Sequence, residues 1–149
     1  MIRKFNECDE CRVVEIWLQS GLDEYSYLPD FQSLDFNQAL KIFKEEIASN
    51  YDVWVEETQS VVRGYLAIKG SYIDRLYVDP KSQKRGVGEA LLRYAKCLMP
   101  EGLELRTHQQ NTRARGFYEK HDFFVTRLGI SPPPESVPDV EYQWRPGEA

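Results

Sequence analysis

Hydrophobic and polar residues alternate in some short segments of the chain and recur at helical spacing in others. Alternation in Tyr51–Glu57 and Val61–Lys69, on either side of a polar turn, predicts a β-hairpin. Apolar residues at helical spacing after Gly86 predict an amphipathic helix that reaches about Met99. The same two patterns predict strands at Ile2–Phe5, Tyr72–Val78, Leu103–Thr107, Phe123–Leu128 and Val140–Trp144, and helices at Asp9–Leu18, Asn37–Ser49 and Asn111–Lys120.

The order of these elements, β-α-α-β-β-β-α-β-α-β-β, predicts a mixed α/β fold with a right-handed crossover at the glycine-led helix. Asp9 and Asn111 are the expected N-caps of their helices. We expect Gly21–Phe36 to be irregular and Ser131–Pro138, with its four prolines, to lack regular structure. No internal repeat or long linker divides the chain, so we expect one domain over residues 1–149.

The bulk composition narrows the functional classes. With 149 residues and 42% hydrophobic residues, the chain suits one globular domain. Its net charge of −5 disfavours nonspecific nucleic-acid binding. No apolar run approaches a membrane span and no secretory signal is visible, so we expect a cytoplasmic protein that binds no membrane. Cys8 and Cys11 form a lone C-x-x-C without a second ligand pair, so no metal site is predicted.

The segment Leu76–Glu89, LYVDPKSQKRGVGE, has the features of a phosphate-binding turn. A strand stops, a loop carries Lys84 and Arg85, and glycines open a helix, where free N–H groups and a partial positive charge favour an anion. No Walker string G-x-x-x-x-G-K-[ST] is present, and Leu91 stands at the third glycine position of a dinucleotide fingerprint. The turn therefore predicts a pyrophosphate site of another type.

Two motifs identify a family resemblance. Residues 83–88, QKRGVG, match the pattern Q/R-x-x-G-x-G/A, and residues 111–123, NTRARGFYEKHDF, resemble N-x-x-A-x-x-F-Y-x-x-x-G-F. In this order and separation they closely resemble the acetyl-CoA signature of the GNAT superfamily of N-acetyltransferases. Asp122 departs from the pattern by replacing glycine, at a position where we expect a left-handed backbone that Asp tolerates.

The resemblance implies a fold and a cofactor site. It implies a single-domain α/β (α+β) GNAT-like fold, in which a mixed, mostly antiparallel sheet of about six to seven strands is splayed between strands 4 and 5 and flanked by about four helices. Acetyl-CoA is the implied co-substrate, with no metal. Its pantetheine arm would pair with strand backbone and its pyrophosphate with loop amides. The implied cofactor-binding residues are Leu76, Tyr77, Val78, Lys84, Arg85, Gly86, Val87, Gly88, Glu89 and Asn111.

The resemblance also implies direct attack of an amine on the thioester in a ternary complex. Tyr118 occupies the family's general-acid position, and a backbone N–H near Val78 could stabilise the oxyanion. Two acids compete for the role of base: Glu104 matches a strand glutamate that serves some family members, and Asp74 lies on the neighbouring strand. Either could instead be a structural acid, because Arg75 and Arg106 are available as ion-pair partners.

The sequence does not identify the molecule that accepts the acetyl group. We expect a primary amine, on a protein, a peptide or a small cationic molecule, and longer acyl groups are possible. The aromatic and acidic residues of Gly21–Phe36, together with Glu135 and Asp139, suit a cationic amine but also fit a solvated loop. Trp54 packs in the core or floors the acceptor cleft. The alternatives are a non-catalytic acyl-CoA-binding module or a structural protein, and the chain is expected to be a monomer or a homodimer.

Overall fold

The computed structural model describes residues 1–24, 34–133 and 135–147. The strands are β1 (Ile2–Lys4), β2 (Asp52–Thr58), β3 (Val61–Lys69), β4 (Tyr72–Val78), β5 (Leu103–His108), β6 (Phe124–Ile130) and β7 (Pro138–Trp144). The α-helices in this described part are α1 (Glu10–Glu24), α2 (Phe36–Ile42), α3 (Val87–Leu98) and α4 (Thr112–Lys120). A π-helical segment, Phe43–Ala48, continues α2, and 3₁₀ turns cover Glu7–Asp9 and Pro80–Ser82. None of these helices combines the length and apolar character needed to cross a membrane.

All seven strands form one sheet, in the order β1-β2-β3-β4-β5-β7-β6. Neighbouring strands are antiparallel except β4 and β5, which are parallel and are connected through α3. The mixed, mostly antiparallel sheet that the family resemblance implied is therefore confirmed, and its seven strands agree with the expected six to seven. Helices cover both faces of the sheet, so the strands nearest the centre are buried on both sides.

Each face of the sheet packs against its own pair of helices, because successive side chains of a strand point to opposite faces. In β3, Tyr65 and Ala67 belong to the hydrophobic cluster that α1 and α2 cover. Leu66 and Ile68 belong to the cluster that α3 and α4 cover. Trp54 packs against Tyr94 of α3, with ring centroids 4.9 Å apart, so it belongs to the core and not to an acceptor cleft.

Several predicted boundaries were wrong. Asp9 is not the N-cap of the first helix: Asn6 caps the 3₁₀ turn that leads into α1, and Asp9 accepts a hydrogen bond from the Asn6 amide in a reciprocal capping box. Helix α1 ends at Glu24 and not near Leu18. Strand β7 begins at Pro138 inside the proline-rich segment, where a first-residue proline leaves the ladder intact. The expected cap at Asn111 is confirmed, since its side chain accepts from the Ala114 amide.

Candidate active site

Strands β4 and β5 separate soon after they begin to pair. Their parallel register contains two pairs, Tyr72 with Glu104 and Ile73 with Leu105. On the other side of β4, Arg75 pairs with Ala67 and Ile73 with Ile68, which makes Asp74 the extra residue of a β-bulge. A bulge bends its strand, and the remaining residues of β4 continue along β3 while β5 continues along β7. A wedge therefore opens in the middle of the sheet.

A cavity of about 430 Å³ fills this wedge, a volume in the range of small-molecule sites. Ten of the thirteen residues proposed from the sequence line it: Asp74, Leu76, Tyr77, Val78, Lys84, Gly86, Gly88, Glu89, Asn111 and Tyr118. The other three, Glu104, Arg85 and Val87, are not among the lining residues. The Val87 side chain packs in the core, and Arg85 is exposed on the loop.

At one end of the cavity, the loop before α3 presents its backbone. Gly86 has a left-handed backbone (φ 84°), as has Lys84 (φ 65°). The Ala90 amide donates to the Gly86 carbonyl, so the amides of Val87, Gly88 and Glu89 precede the helical hydrogen-bond ladder. A Cβ on Gly86 would meet nothing within 4 Å, so glycine is needed there for its backbone and not for space. This end can bind an anion.

The end of β4 and the loop that follows are fastened to α1. Ser20, which is buried, donates its hydroxyl to the Val78 carbonyl at 2.9 Å. Arg12 donates to the Asp79 carboxylate at 2.6 Å. Burial raises the pKa of Asp79, but the hydrogen bonds from Arg12 and from the Lys81 amide outweigh it and hold that pKa below its usual value. Helix α1 therefore holds the end of β4 in position, where β5 no longer pairs with it.

Tyr118 lies on α4 with 8% of its surface exposed, facing the cavity. Its ring packs against Phe123, at 5.4 Å between centroids, and against Tyr142, at 6.3 Å. Tyr142 in turn bonds to Glu119 and accepts from Arg115 at 3.0 Å. These contacts hold the Tyr118 ring in place beside the cavity.

The two candidate bases occupy different surroundings. Asp74 lines the cavity and lies 3.6 Å from the Arg75 guanidinium. Burial and the nearby Asp74 carboxylate raise the pKa of Tyr51. Glu104 lies on the paired part of β5 and contacts the Ser71 hydroxyl at 3.4 Å. The wedge therefore brings Tyr118 and Asp74 to one cavity and leaves Glu104 outside its lining.

Sequence reasoning missed several residues that also line the cavity. Arg113 donates to Gln83 at 2.9 Å, and the His121 ring lies edge-to-face with Phe117, at 4.8 Å between centroids. Burial lowers the pKa of His121. The sequence did offer a signal for Gln83, because it is the first residue of the glycine motif at residues 83–88. Arg75 was considered only as an ion-pair partner, although it also lines the cavity.

Much of the predicted acceptor region lies outside the described residues. This holds for Tyr25, Tyr27, Asp30 and Phe31, and for the side chains of Asp23 and Glu24. Of the described ones, Asp35 caps α2 through the Gln38 amide, and Phe36 is exposed at the start of that helix. Neither lines the cavity. The left-handed backbone expected at Asp122 is confirmed by its φ of 72°.

Comparisons with known proteins agree with this geometry. A family model described as an acetyltransferase (GNAT) domain matches residues 49–124. The peptidyl-lysine N-acetyltransferase YjaB of Salmonella typhimurium is 29% identical over 126 residues, 84% of this chain and 83% of the relative. YjaB of Escherichia coli is 30% identical over 128 residues, 84% of this chain and 82% of the relative.

The fold agrees as well. The solution structure of apo-form YjaB from Escherichia coli superposes with a TM-score of 0.83 at 24% identity, over 100% of this chain and 98% of the other. The family model spans half of the chain, including the glycine turn, the cavity and Tyr118. The chain therefore belongs to the GNAT family and is an N-acetyltransferase.

Proposed function

We propose that this enzyme acetylates a primary amine that enters the wedge from the side of α1 and α2, with the lysine side chain of a peptide as the first acceptor to test. The relatives named peptidyl-lysine N-acetyltransferases support this acceptor. The single observation that carries the proposal is the shared cavity, which collects an anion-binding helix start, diverged strand backbone, a tyrosine and an aspartate.

The loop amides at Lys84, Arg85, Gly86, Val87, Gly88 and Glu89 would hold the pyrophosphate of acetyl-CoA, because they precede the hydrogen-bond ladder of α3. The backbone of Leu76, Tyr77 and Val78 would pair with the pantetheine arm in the place that β5 leaves. Asn111 uses its Oδ1 as the cap of α4 and would donate to the same arm through Nδ2.

The reaction needs a neutral amine. An alkylammonium has a pKa near 10.4 and is mostly charged at neutral pH. Asp74 would take its proton, directly or through a water, because this carboxylate faces the cavity where the amine would enter. Glu104 is the weaker candidate because it lies on the paired part of β5, away from the lining.

The amine nitrogen then attacks the thioester carbonyl carbon and forms the new C–N bond. The carbonyl oxygen becomes an oxyanion that the Val78 amide would stabilise, with Ser20 and α1 holding this strand end in position. When the intermediate collapses, the C–S bond breaks, and Tyr118 would donate its phenolic proton to the leaving thiolate. The nitrogen passes its second proton to the Tyr118 phenolate, directly or through a water, which restores the phenol, and Asp74 releases its proton to solvent. The products are an N-acetyl amine and coenzyme A.

The test is thiol release from acetyl-CoA with a panel of lysine peptides, free amino acids and polyamines, with mass spectrometry of each acceptor. We expect thiol release to match the acetyl groups found on at least one primary amine. A protein that binds acetyl-CoA but releases no thiol with any amine would be a binding module and would contradict the proposal. Failure of coenzyme A to raise the melting temperature would exclude binding as well.

A further inference from the structure

A nearly buried arginine lies beside the proposed base. The side chain of Arg75 has 12% of its surface exposed and lines the same cavity as Asp74. It projects from β4 toward α1, where its guanidinium stacks on Trp17 with Cζ 4.1 Å from the ring centroid. A charged group in such a place costs free energy unless it is well paired.

The described partners of Arg75 satisfy only part of the hydrogen-bonding capacity of its guanidinium. Its Nη1 reaches the Tyr65 hydroxyl at 3.4 Å, and its Nε lies 3.6 Å from Asp74. Both contacts are long for charge-assisted hydrogen bonds, which measure about 2.7–2.9 Å. Within the described residues, Nη2 has no hydrogen-bond partner, so one edge of the fork is open to a ligand.

The geometry selects the kind of group that fits. A guanidinium whose face is covered by an indole presents its planar edge, which pairs with a carboxylate through parallel N–H···O bonds. The neighbouring Asp74 would repel a doubly charged phosphate more than a singly charged carboxylate. One acid and one arginine side by side complement an ammonium and a carboxylate on one small molecule or on adjacent side chains.

We propose that Arg75 binds a carboxylate of the acceptor, so that the preferred substrate is an amine with a carboxylate close to it. This inference rests on the proposed transferase function. The carboxylate could come from a free amino acid or from an acidic residue next to the target lysine in a peptide. Both sources present the same group to the fork, and matched acceptor pairs separate them.

The experiment compares acceptors that differ by one carboxylate. Lysine and 1,5-diaminopentane form the first pair, and lysine peptides with a neighbouring Glu or Gln form the second. For at least one pair we expect the acid to raise kcat/KM by roughly 10- to 100-fold, as a hydrogen-bonded charge pair provides. The same preference should appear in dissociation constants measured by calorimetry, with and without coenzyme A, and this readout needs no turnover.

Substitutions assign the preference to Arg75. Arg75→Gln should reduce the preference to about onefold by lowering kcat/KM much more for the acid-bearing acceptor than for the acid-free one. Arg75→Lys, which keeps the charge, should retain part of the preference. Arg127→Gln removes an exposed arginine of β6 outside the cavity and should leave the preference unchanged. Melting temperatures with coenzyme A verify that each variant is folded.

Two outcomes would overturn the proposal. One is the absence of any preference in both pairs with the wild-type protein. The other is an equal loss for both members of a pair in Arg75→Gln, which would make the arginine a packing contact of α1. Failure of the proposed function would look different, because thiol release would be absent with every acceptor while the binding preference persisted.

Discussion

The two ends of the cavity are built in different ways. At the proposed cofactor end, the binding groups would be backbone amides of residues 84–89, placed by one glycine turn and the start of α3. At the proposed acceptor end, the groups would be the side chains of Asp74, the extra residue of a β-bulge, and Arg75, which packs against Trp17 of α1. A backbone site is encoded in a short contiguous motif, whereas a side-chain site depends on partners that are distant in sequence.

The largest loss of activity is expected from a substitution of Tyr118, which lines the cavity between its two ends. Tyr118→Phe removes the proposed proton donor and keeps a ring that packs against Phe123 and Tyr142. We expect kcat to fall about 100- to 10,000-fold while acetyl-CoA affinity stays within about twofold. Thiol release and cofactor titration measure the two quantities. Tyr94→Phe, on α3 outside the cavity lining, is the matched control, and equal losses in both variants would contradict the acid role.

The acceptor end is tested next. Asp74→Asn should lower kcat/KM roughly 10- to 100-fold at neutral pH, because the amine then loses its base. The loss should shrink as the pH approaches about 10, where more of the amine is already neutral. Glu104→Gln should have a much smaller effect, since Glu104 lies outside the cavity lining. A larger loss in Glu104→Gln across the pH–rate profile would reverse the assignment of the base.

A smaller effect is expected at the cofactor end from a single methyl group. Gly86→Ala places a Cβ on a left-handed residue, which costs about 1–2 kcal/mol and should lower coenzyme A affinity about tenfold. Gly70→Ala introduces the same strain (φ 57°) in the β3–β4 turn, away from the cavity. Calorimetric titration should show weaker binding in the first variant alone. Equal affinities in the two variants would mean that the turn does not bind the cofactor.

The smallest effect concerns how α1 supports the cofactor loop. The pKa of Asp79 is held below its ordinary value, so the folded state binds its proton less readily than the unfolded state. The stability from the Arg12–Asp79 pair is therefore fully present above the unfolded pKa of about 3.9, and it is lost as the pH falls through the lower folded pKa. Urea unfolding at neutral and acid pH should show the wild-type advantage over Asp79→Asn disappearing in acid. An advantage that persists there would contradict this linkage.

The proposed cofactor end could be predicted from the sequence because its determinants are local. Residues 83–88 and 111–123 contain the turn, the cap at Asn111 and Tyr118, and the structure brings these to one cavity. The seven-stranded sheet followed from period-two patterns. Asp9 was taken for a cap because Asp and Asn both suit that position, and only the reciprocal bond with Asn6 distinguishes them.

The geometry of the proposed acceptor end could not be predicted from a contiguous sequence motif. The bulge at Asp74 depends on its register with β3, and the stacking of Arg75 depends on Trp17, which is 58 positions away in the chain. The extension of α1 to Glu24 is likewise set by tertiary contacts, including the bond from Ser20 to Val78, that override a local glycine. Pairwise packing of this kind leaves no contiguous pattern in the sequence.

The most direct test of the central claim follows the backbone amides of residues 84–89 by NMR during titration with coenzyme A and, separately, with pantetheine, which lacks the pyrophosphate. Coenzyme A should shift these amides strongly, whereas pantetheine should shift only residues of β4 such as Tyr77 and Val78. If coenzyme A binds and the amides of 84–89 keep their shifts, the glycine turn is not the pyrophosphate site.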